Sequence, residues 1–573
     1  MNQLTDLQSQ ILQARGRVVV TACPGAGKTK VVAHLVRHLL NEQTLHPYQN
    51  IVVTSFTNVA NTAIGAELDS LGVYDGDRIT FGTIDAFLNK QVFIPHVSRS
   101  NLFGAQRCTL LPPTSEDFIY RLSPSLLRSK LNPNHLVYTS KGERRYQDGR
   151  SLLGTPIVDL DRTIDKLHRA GFVLQNQLTY LCYQVLSDRP QLARTIARRF
   201  PIWIIDEAQD CSELQIAIVE LLQAAGVQDI FLVGDPNQSI YQWRDAHPQF
   251  MRLKCEDPNW YHIQLNSTHR FGDAICRFVN RFHPEALITT VLPSTQDVSE
   301  FEVMHNPNPK VLVELFLDKV RSKGIHISPQ NVAVLFGGRS SLINPEKVYQ
   351  SYFAGGPNGL HKRIADHLLM SCLAKKQNKM KSAFSELRDA TSLLWESKMF
   401  PSFSSAELDP DSMDFNGIVL AFFKGLPALD ISLSHWVGEI NSLISSIHEC
   451  SFEVKIKRRQ EEVGNLLNDL VHYHLDYEIT VENIHQIKGR TFEAVLVYLD
   501  SGRGNYNTSV TKALGVLANG KLFDSQYAED GRLIYVACTR AKKLLWVCSD
   551  SSAVEQVLVG PQPIAQEIQA SLF

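Results

Sequence analysis

The segment that most constrains this chain is RVVVTACPGAGKTKVVAHLVRHLL, Arg17 to Leu40. Val18 to Thr21 read as a buried parallel strand, and Lys30 to Leu40 read as an amphipathic helix. Gly25 and Gly27, with Ala26 between them, stand where larger side chains would obstruct phosphates. Successive loop N–H groups and the helix N-terminus would cradle a polyphosphate. Lys28 would reach its outer phosphates, and Thr29 would place its hydroxyl on Mg2+. The pattern GxxxxGK[ST] is missed by one residue, because Ala22 stands where its first glycine belongs.

A nucleotide site of this kind needs an acidic strand end to hold the metal. PIWIIDEAQD, Pro201 to Asp210, supplies one, with Ile202 to Ile205 as a short buried strand. Asp206 is placed to hold Mg2+ through water, and Glu207 to orient and deprotonate an attacking water.

Composition narrows the class. With 573 residues the length suggests about four domains. With 44% hydrophobic and 20% charged residues the chain reads as globular. A formal net charge of -2 argues against a uniformly basic nucleic-acid wrapper, so any polyanion would be held in a local groove. Ten cysteines without a CxxC pair speak against zinc ribbons and a disulfide framework. The N-terminal stretch is polar and no apolar run approaches about 18 residues, so the expectation is a soluble cytoplasmic protein with no membrane association.

DEAQD, LVGDPNQSIYQWRDA (232–246), HQIKGRTFEAV (485–495) and RLIYVACTRAKK (532–543) resemble motifs II, III, V and VI of superfamily 1A helicases, the UvrD, Rep and PcrA kind, in order and spacing. The resemblance implies an α/β fold: two RecA-like parallel-sheet domains with helical insertions, and an ATP site in the cleft between them. Motif spacing places domain 1A at 1–89 and 196–280, insertion 1B at 90–195, domain 2A at 281–345 and 476–573, and insertion 2B at 346–475. No second phosphate loop occurs, so one ATP site is expected.

The same resemblance assigns roles. Gln8 in LTDLQ would read the adenine edge, its amide offering both a donor and an acceptor. Gln238 would sense the γ-phosphate, and Arg270 and Arg540 would grip it from the two domains. Gly489 of motif V belongs with the nucleotide-binding set. His269 stands where relatives place an adenine-stacking Tyr, and Thr491 where they place a ribose-binding Glu, so base and sugar selectivity would be looser. For single-stranded DNA, Phe56 and Trp243 would stack on bases, Asn58 and Thr83 would contact the sugar-phosphate, and Tyr241 and His485 complete the set. Asp85 replaces a His of the family pattern, and a carboxylate there would repel phosphate.

Two basic stretches, SKGERRYQDGR (140–150) and KKQNKMK (375–381, on an expected helix), read either as phosphate contacts or as solvated surface. His472 and His474 lack a third ligand, so a metal site there is not expected. The leading expectation is an ATP-dependent 3'-5' translocase and helicase on single-stranded or tailed duplex DNA, with ATP and Mg2+, in DNA repair or antiviral defence. The alternative is an ATP-sensing, helicase-like subunit of a nuclease-containing antiphage complex of the Gabija type. A nuclease partner protein, docking on a helical insertion, enters through that alternative and through an expectation of weak unwinding by the chain alone. A non-motor phosphate-loop enzyme such as a nucleotide kinase is disfavoured by Trp243, Arg270 and Arg540.

Overall fold

The computed structural model describes residues 4–42, 45–55, 58–73, 78–98, 108–111, 131–146, 155–241, 246–282, 287–293, 299–306, 309–336, 360–376, 380–396, 413–446, 453–455, 479–499 and 528–549, with single positions 119, 126, 353, 552, 555 and 558. Two parallel sheets organise them. The first contains β1 (Arg17–Ala22), β2 (Ile51–Ser55), β3 (Ile79–Gly82), β4 (Ile202–Asp206), β5 (Asp229–Gly234) and β6 (Tyr261–Leu265). Their spatial order is β6-β1-β5-β4-β2-β3. β1 and β4, which carry the phosphate loop and the acidic strand end, are thus separated by one strand. Val18, Val19 and Val20 are fully buried, which follows from helices covering both faces of a parallel sheet.

The second sheet contains β7 (Glu300–His305), β8 (Val332–Phe336), β9 (Thr480–Asn483), β10 (Phe492–Leu499) and β11 (Ala541–Ser549), in the order β7-β11-β10-β8-β9. Every pairing in it is parallel, and β10 shifts register against β11 between Phe492 and Ala494. The sheets are not separate bodies. One buried cluster runs from Val18 and Val20 through Phe278 and Phe282 to Val495, Tyr535 and Val547. Phe278 stacks on Phe301, with ring centroids 4.1 Å apart.

The segment between β3 and β4 was expected to be helical, and it is mixed. Helices Thr155–Arg169, Leu178–Asp188 and Pro190–Arg199 pack beside two short ribbons, Thr109–Leu111 with Phe172–Leu174 and Leu136–Tyr138 with Arg144–Tyr146. The hairpin holds part of the basic stretch 140–150. There Arg144 pairs with Asp161 and Arg145 with Glu213 at 3.2 Å, so both cations answer protein carboxylates.

Between β8 and β9, helices Leu360–Lys376, Met380–Glu396, Met413–Gly425 and Leu433–Ser446 enclose their own core around the fully buried Trp436. The stretch 375–381 does not lie on one helix as expected: one helix ends at Lys376 and the next begins at Met380. Lys375 donates to the Phe423 carbonyl at 2.7 Å instead of facing a phosphate. His472 and His474 lie outside the described residues. No helix among the described residues is long and apolar enough to cross a membrane.

Candidate nucleotide site between the two sheets

The phosphate loop leaves β1 at Ala22 and enters helix α2 (Lys28–Asn41) through Gly27. Gly25 and Gly27 have φ of +82° and +83°, a region that side-chain-bearing residues avoid. Gly25 has a second constraint that the sequence did not disclose. A Cβ there would run into Thr268 Oγ1 and the Arg270 Cβ. The loop is braced by this neighbouring segment, since Thr268 Oγ1 donates to the Pro24 carbonyl (2.7 Å) and His269 N to the Gly25 carbonyl (2.9 Å). Lys28 Nζ donates to the Ala22 carbonyl at 3.2 Å, and Thr29 sits in the first turn of α2, partly exposed.

Gln8 belongs to helix α1 (Asp6–Gln13), where it forms a reciprocal cap with Thr5. Its side-chain oxygen accepts from Thr5 N (3.0 Å), and its amide nitrogen donates to the Ala26 carbonyl (3.0 Å). Both ends of the amide are therefore engaged, tying α1 to the phosphate loop. Reading adenine would require Gln8 to exchange these bonds. The His269 side chain is exposed, and Gly489 (φ +91°) makes the exposed turn before β10.

Asp206 ends β4 and is 2% exposed, and its Oδ1 has no hydrogen-bond partner. Glu207 follows with φ +54°, the one non-glycine positive φ among the described residues. Such a conformation is strained and persists only where surroundings impose it. Gln209 holds the Glu207 side chain in place: its amide nitrogen donates to Glu207 Oε2, and its Oε1 accepts from Asp235 N at 3.0 Å. Burial, with Glu207 beside it, pushes the Asp206 carboxyl up to about 7. Burial acts in the same direction on Glu207, but Lys28, Lys488, the Gln209 amide and Arg540 outweigh it and hold that carboxyl below its ordinary value. Two adjacent carboxylates are thereby split in character. An orphaned, buried Asp206 oxygen near the first turn of α2 is the donor environment a hard divalent cation suits, so the residues fit Mg2+.

Opposite stands helix Ala528–Cys538 of the second domain, which leads to Thr539 and Arg540. Arg540 is 2% exposed, donates through Nε to the Val536 carbonyl (2.9 Å), and reaches Gln238 Oε1 of the first domain at 2.9 Å. Gln238 in turn donates to Asp235 Oδ2 at 2.8 Å. Arg270 crosses the other way, from the first domain to the Thr539 carbonyl at 2.9 Å. Burial and the neighbouring Arg540 pull the Arg270 guanidinium down to about 9, and burial also lowers Arg540. Neither guanidinium forms a salt bridge among the described residues. Among the described residues both guanidiniums donate only to neutral oxygens, and Glu207 acts on them through its field without a hydrogen bond.

On the DNA side, Phe56 and Trp243 lie outside the described residues, as does the Asn58 side chain at the start of helix Asn58–Ser70. Thr83 caps the helix Ile84–Leu88, its hydroxyl accepting from Ala86 N at 3.1 Å. Tyr241 is 8% exposed and donates to the His485 carbonyl at 3.2 Å, with their rings 6.0 Å apart, so this pair bridges the two domains. Asp85 has a role the sequence did not show. Its carboxylate accepts from Thr179 Oγ1 (3.1 Å) and Gln215 Nε2 (2.9 Å), fastening helix Leu178–Asp188, which packs in the core of the first sheet, to helix Glu213–Ala224. Gln209, Lys488 and Arg532 were also missed, although each stands inside a quoted motif.

A glycine-turned phosphate loop, an acidic strand end and arginines converging from two parallel sheets define a phosphate-loop protein of the two-sheet type. The comparisons narrow this further. Residues 4–106 and 124–259 match the UvrD/REP helicase N-terminal domain, and 370–552 match the UvrD-like helicase C-terminal domain. The chain belongs to the UvrD/REP helicase family. It is similar to the putative ATP-dependent DNA helicase YjcD of Bacillus subtilis, at 21% identity over 95% of this chain and 78% of that one. DNA helicase II of Escherichia coli is 25% identical over 49% of this chain, and ATP-dependent DNA helicase PcrA of Staphylococcus aureus is 23% identical over 49%. The matched regions span 40% of each of those two relatives.

Proposed function

We propose that the chain hydrolyses ATP in the cleft between its two sheets and uses the cycle to step 3' to 5' along single-stranded DNA, opening tailed duplexes. The observation that carries this reading is the pair of guanidiniums, the half-buried Arg270 and the buried Arg540, which cross the cleft in opposite directions without a hydrogen-bonded carboxylate. A triphosphate would give both guanidiniums anionic oxygens to bind at once, bridging the two domains, and its cleavage would withdraw them. Lys28 and the loop N–H groups bind the phosphates. Thr29 and Asp206 hold Mg2+, which when bound neutralises phosphate charge. Glu207, held ionised, accepts the proton of the attacking water. Gln238, bonded to Arg540, changes partners as the cleft opens. The 3' to 5' direction is supported by family membership and by the motifs shared with the 1A subgroup.

Glu207→Gln keeps the geometry but removes the base, so nucleotide binding should persist within about threefold while DNA-stimulated hydrolysis falls by about 10²-fold or more. Displacement of streptavidin from end-labelled oligonucleotides then tests direction. Release from the 5' end alone is expected. Release from the 3' end, or near-normal hydrolysis by the Gln variant, would sink the reading.

A further inference from the structure

The turn Gln238–Ser239, just beyond β5, is held by three cations from the other side of the cleft. Arg540 reaches the Gln238 side-chain oxygen (2.9 Å), Lys488 Nζ the Gln238 carbonyl (2.8 Å), and Arg532 Nε the Ser239 carbonyl (2.7 Å). Lys488 does more than the two arginines. It also forms an ion pair with Asp210, and its ammonium stands 5.0 Å from the Tyr241 ring centroid. The pair is enclosed, with side-chain exposures of 7% for Lys488 and 1% for Asp210. Asp210 ends the short turn that begins at Glu207, its N–H donating to the Glu207 carbonyl at 3.0 Å.

One ammonium therefore touches the turn carrying the base, the carbonyl of the phosphate-sensing glutamine and the aromatic ring two residues before Trp243. An exposed ion pair would contribute little, but in this enclosed seam a lost partner strands a charge. A neutral side chain of equal length would fill the space without holding carbonyl and carboxylate together.

We propose that Lys488 is a positioning residue that couples Tyr241, and the motif that continues from it, to the placement of Glu207 and Gln238, so that DNA engagement sets the rate of ATP hydrolysis. The inference rests on the helicase reading above and adds how its two sites communicate. When DNA moves the Tyr241 segment, Lys488 carries the displacement to Asp210 and the Gln238 carbonyl together.

The test measures ATP kcat and KM of the full chain with and without a single-stranded oligonucleotide, for wild type, Lys488→Met, Lys488→Arg and the double variant Asp210→Asn/Lys488→Met. Wild type without DNA stimulation would overturn the helicase reading itself. Given stimulation, Lys488→Met is expected to lower the DNA-stimulated kcat about tenfold with KM for ATP within about threefold, a split that marks lost coupling instead of lost binding. Lys488→Arg, which keeps the charge, should retain most of the stimulation. The double variant strands no charge, so it should melt like wild type and still lack stimulation. A folded double variant stimulated like wild type, or a Lys488→Met variant that raises KM with kcat unchanged, would reduce Lys488 to a structural ion pair and overturn the proposal.

Discussion

At the residue scale, the adjacent carboxylates show how position outweighs type. Asp206 and Glu207 are neighbours in sequence, yet one closes a strand with a bare buried oxygen, while the other is turned by a left-handed backbone into contact with Gln209. The Asp206 carboxyl, pushed up to about 7, binds a proton more tightly than a free aspartate. Below that pH a cation must displace the proton, and above it no competition remains. The Mg2+ concentration for half-maximal hydrolysis should therefore climb as pH falls below about 7, approaching about tenfold per pH unit. Mg2+ titrations across this range check it. A flat response would place the cation on other ligands.

At the element scale, the phosphate loop is one part of a braced unit. The cap at α1 ties Gln8 to Ala26, the Thr268–Arg270 segment presses on Gly25, and β6 lends the Leu265 carbonyl to Cys23 N at 2.9 Å. Gly25→Ala meets both a positive φ and occupied space, and the conformational part alone costs about 1–3 kcal/mol. We expect this variant to lose nucleotide affinity and to melt several degrees lower, because the loop cannot shift without displacing Arg270. Equilibrium binding of a fluorescent ATP analogue and thermal unfolding read the two effects. Gly16→Ala, whose added Cβ would meet open space, isolates the cost of a positive φ alone.

At the scale of the whole molecule, the distribution of cores predicts how the chain comes apart. The two sheets share a buried cluster across their cleft, whereas the helices between β8 and β9 surround Trp436 with a core of their own. Trp436→Ala should cost that module about 3–5 kcal/mol. Calorimetry should then show a separate low-temperature transition, with ATP binding preserved through it. A single transition lowered as a unit would mean that the module is energetically fused to the sheets.

Much of this was legible because local patterns report local chemistry. Glycines between a strand and a helix and a strand ending in Asp-Glu sufficed to anticipate a nucleotide site, and the motifs resembling superfamily 1A helicases supplied the expectation of two parallel-sheet domains with helical insertions. Other features depend on partners distant in the chain, and no window of sequence contains them. Asp85 reads as an odd carboxylate at a DNA motif until Thr179 and Gln215 close on it. Lys488 reads as one more basic residue until the fold buries it 278 positions from Asp210. The arginines of the basic hairpin find Asp161 and Glu213 only when the insertion folds back. The sequence by itself determined the strand, turn and helix that build a phosphate loop, because backbone conformation and hydrophobic period are set by near neighbours. Which charges face one another across the cleft was decided by the tertiary structure alone, because an ion's partner and its dielectric surroundings exist only after distant segments have met.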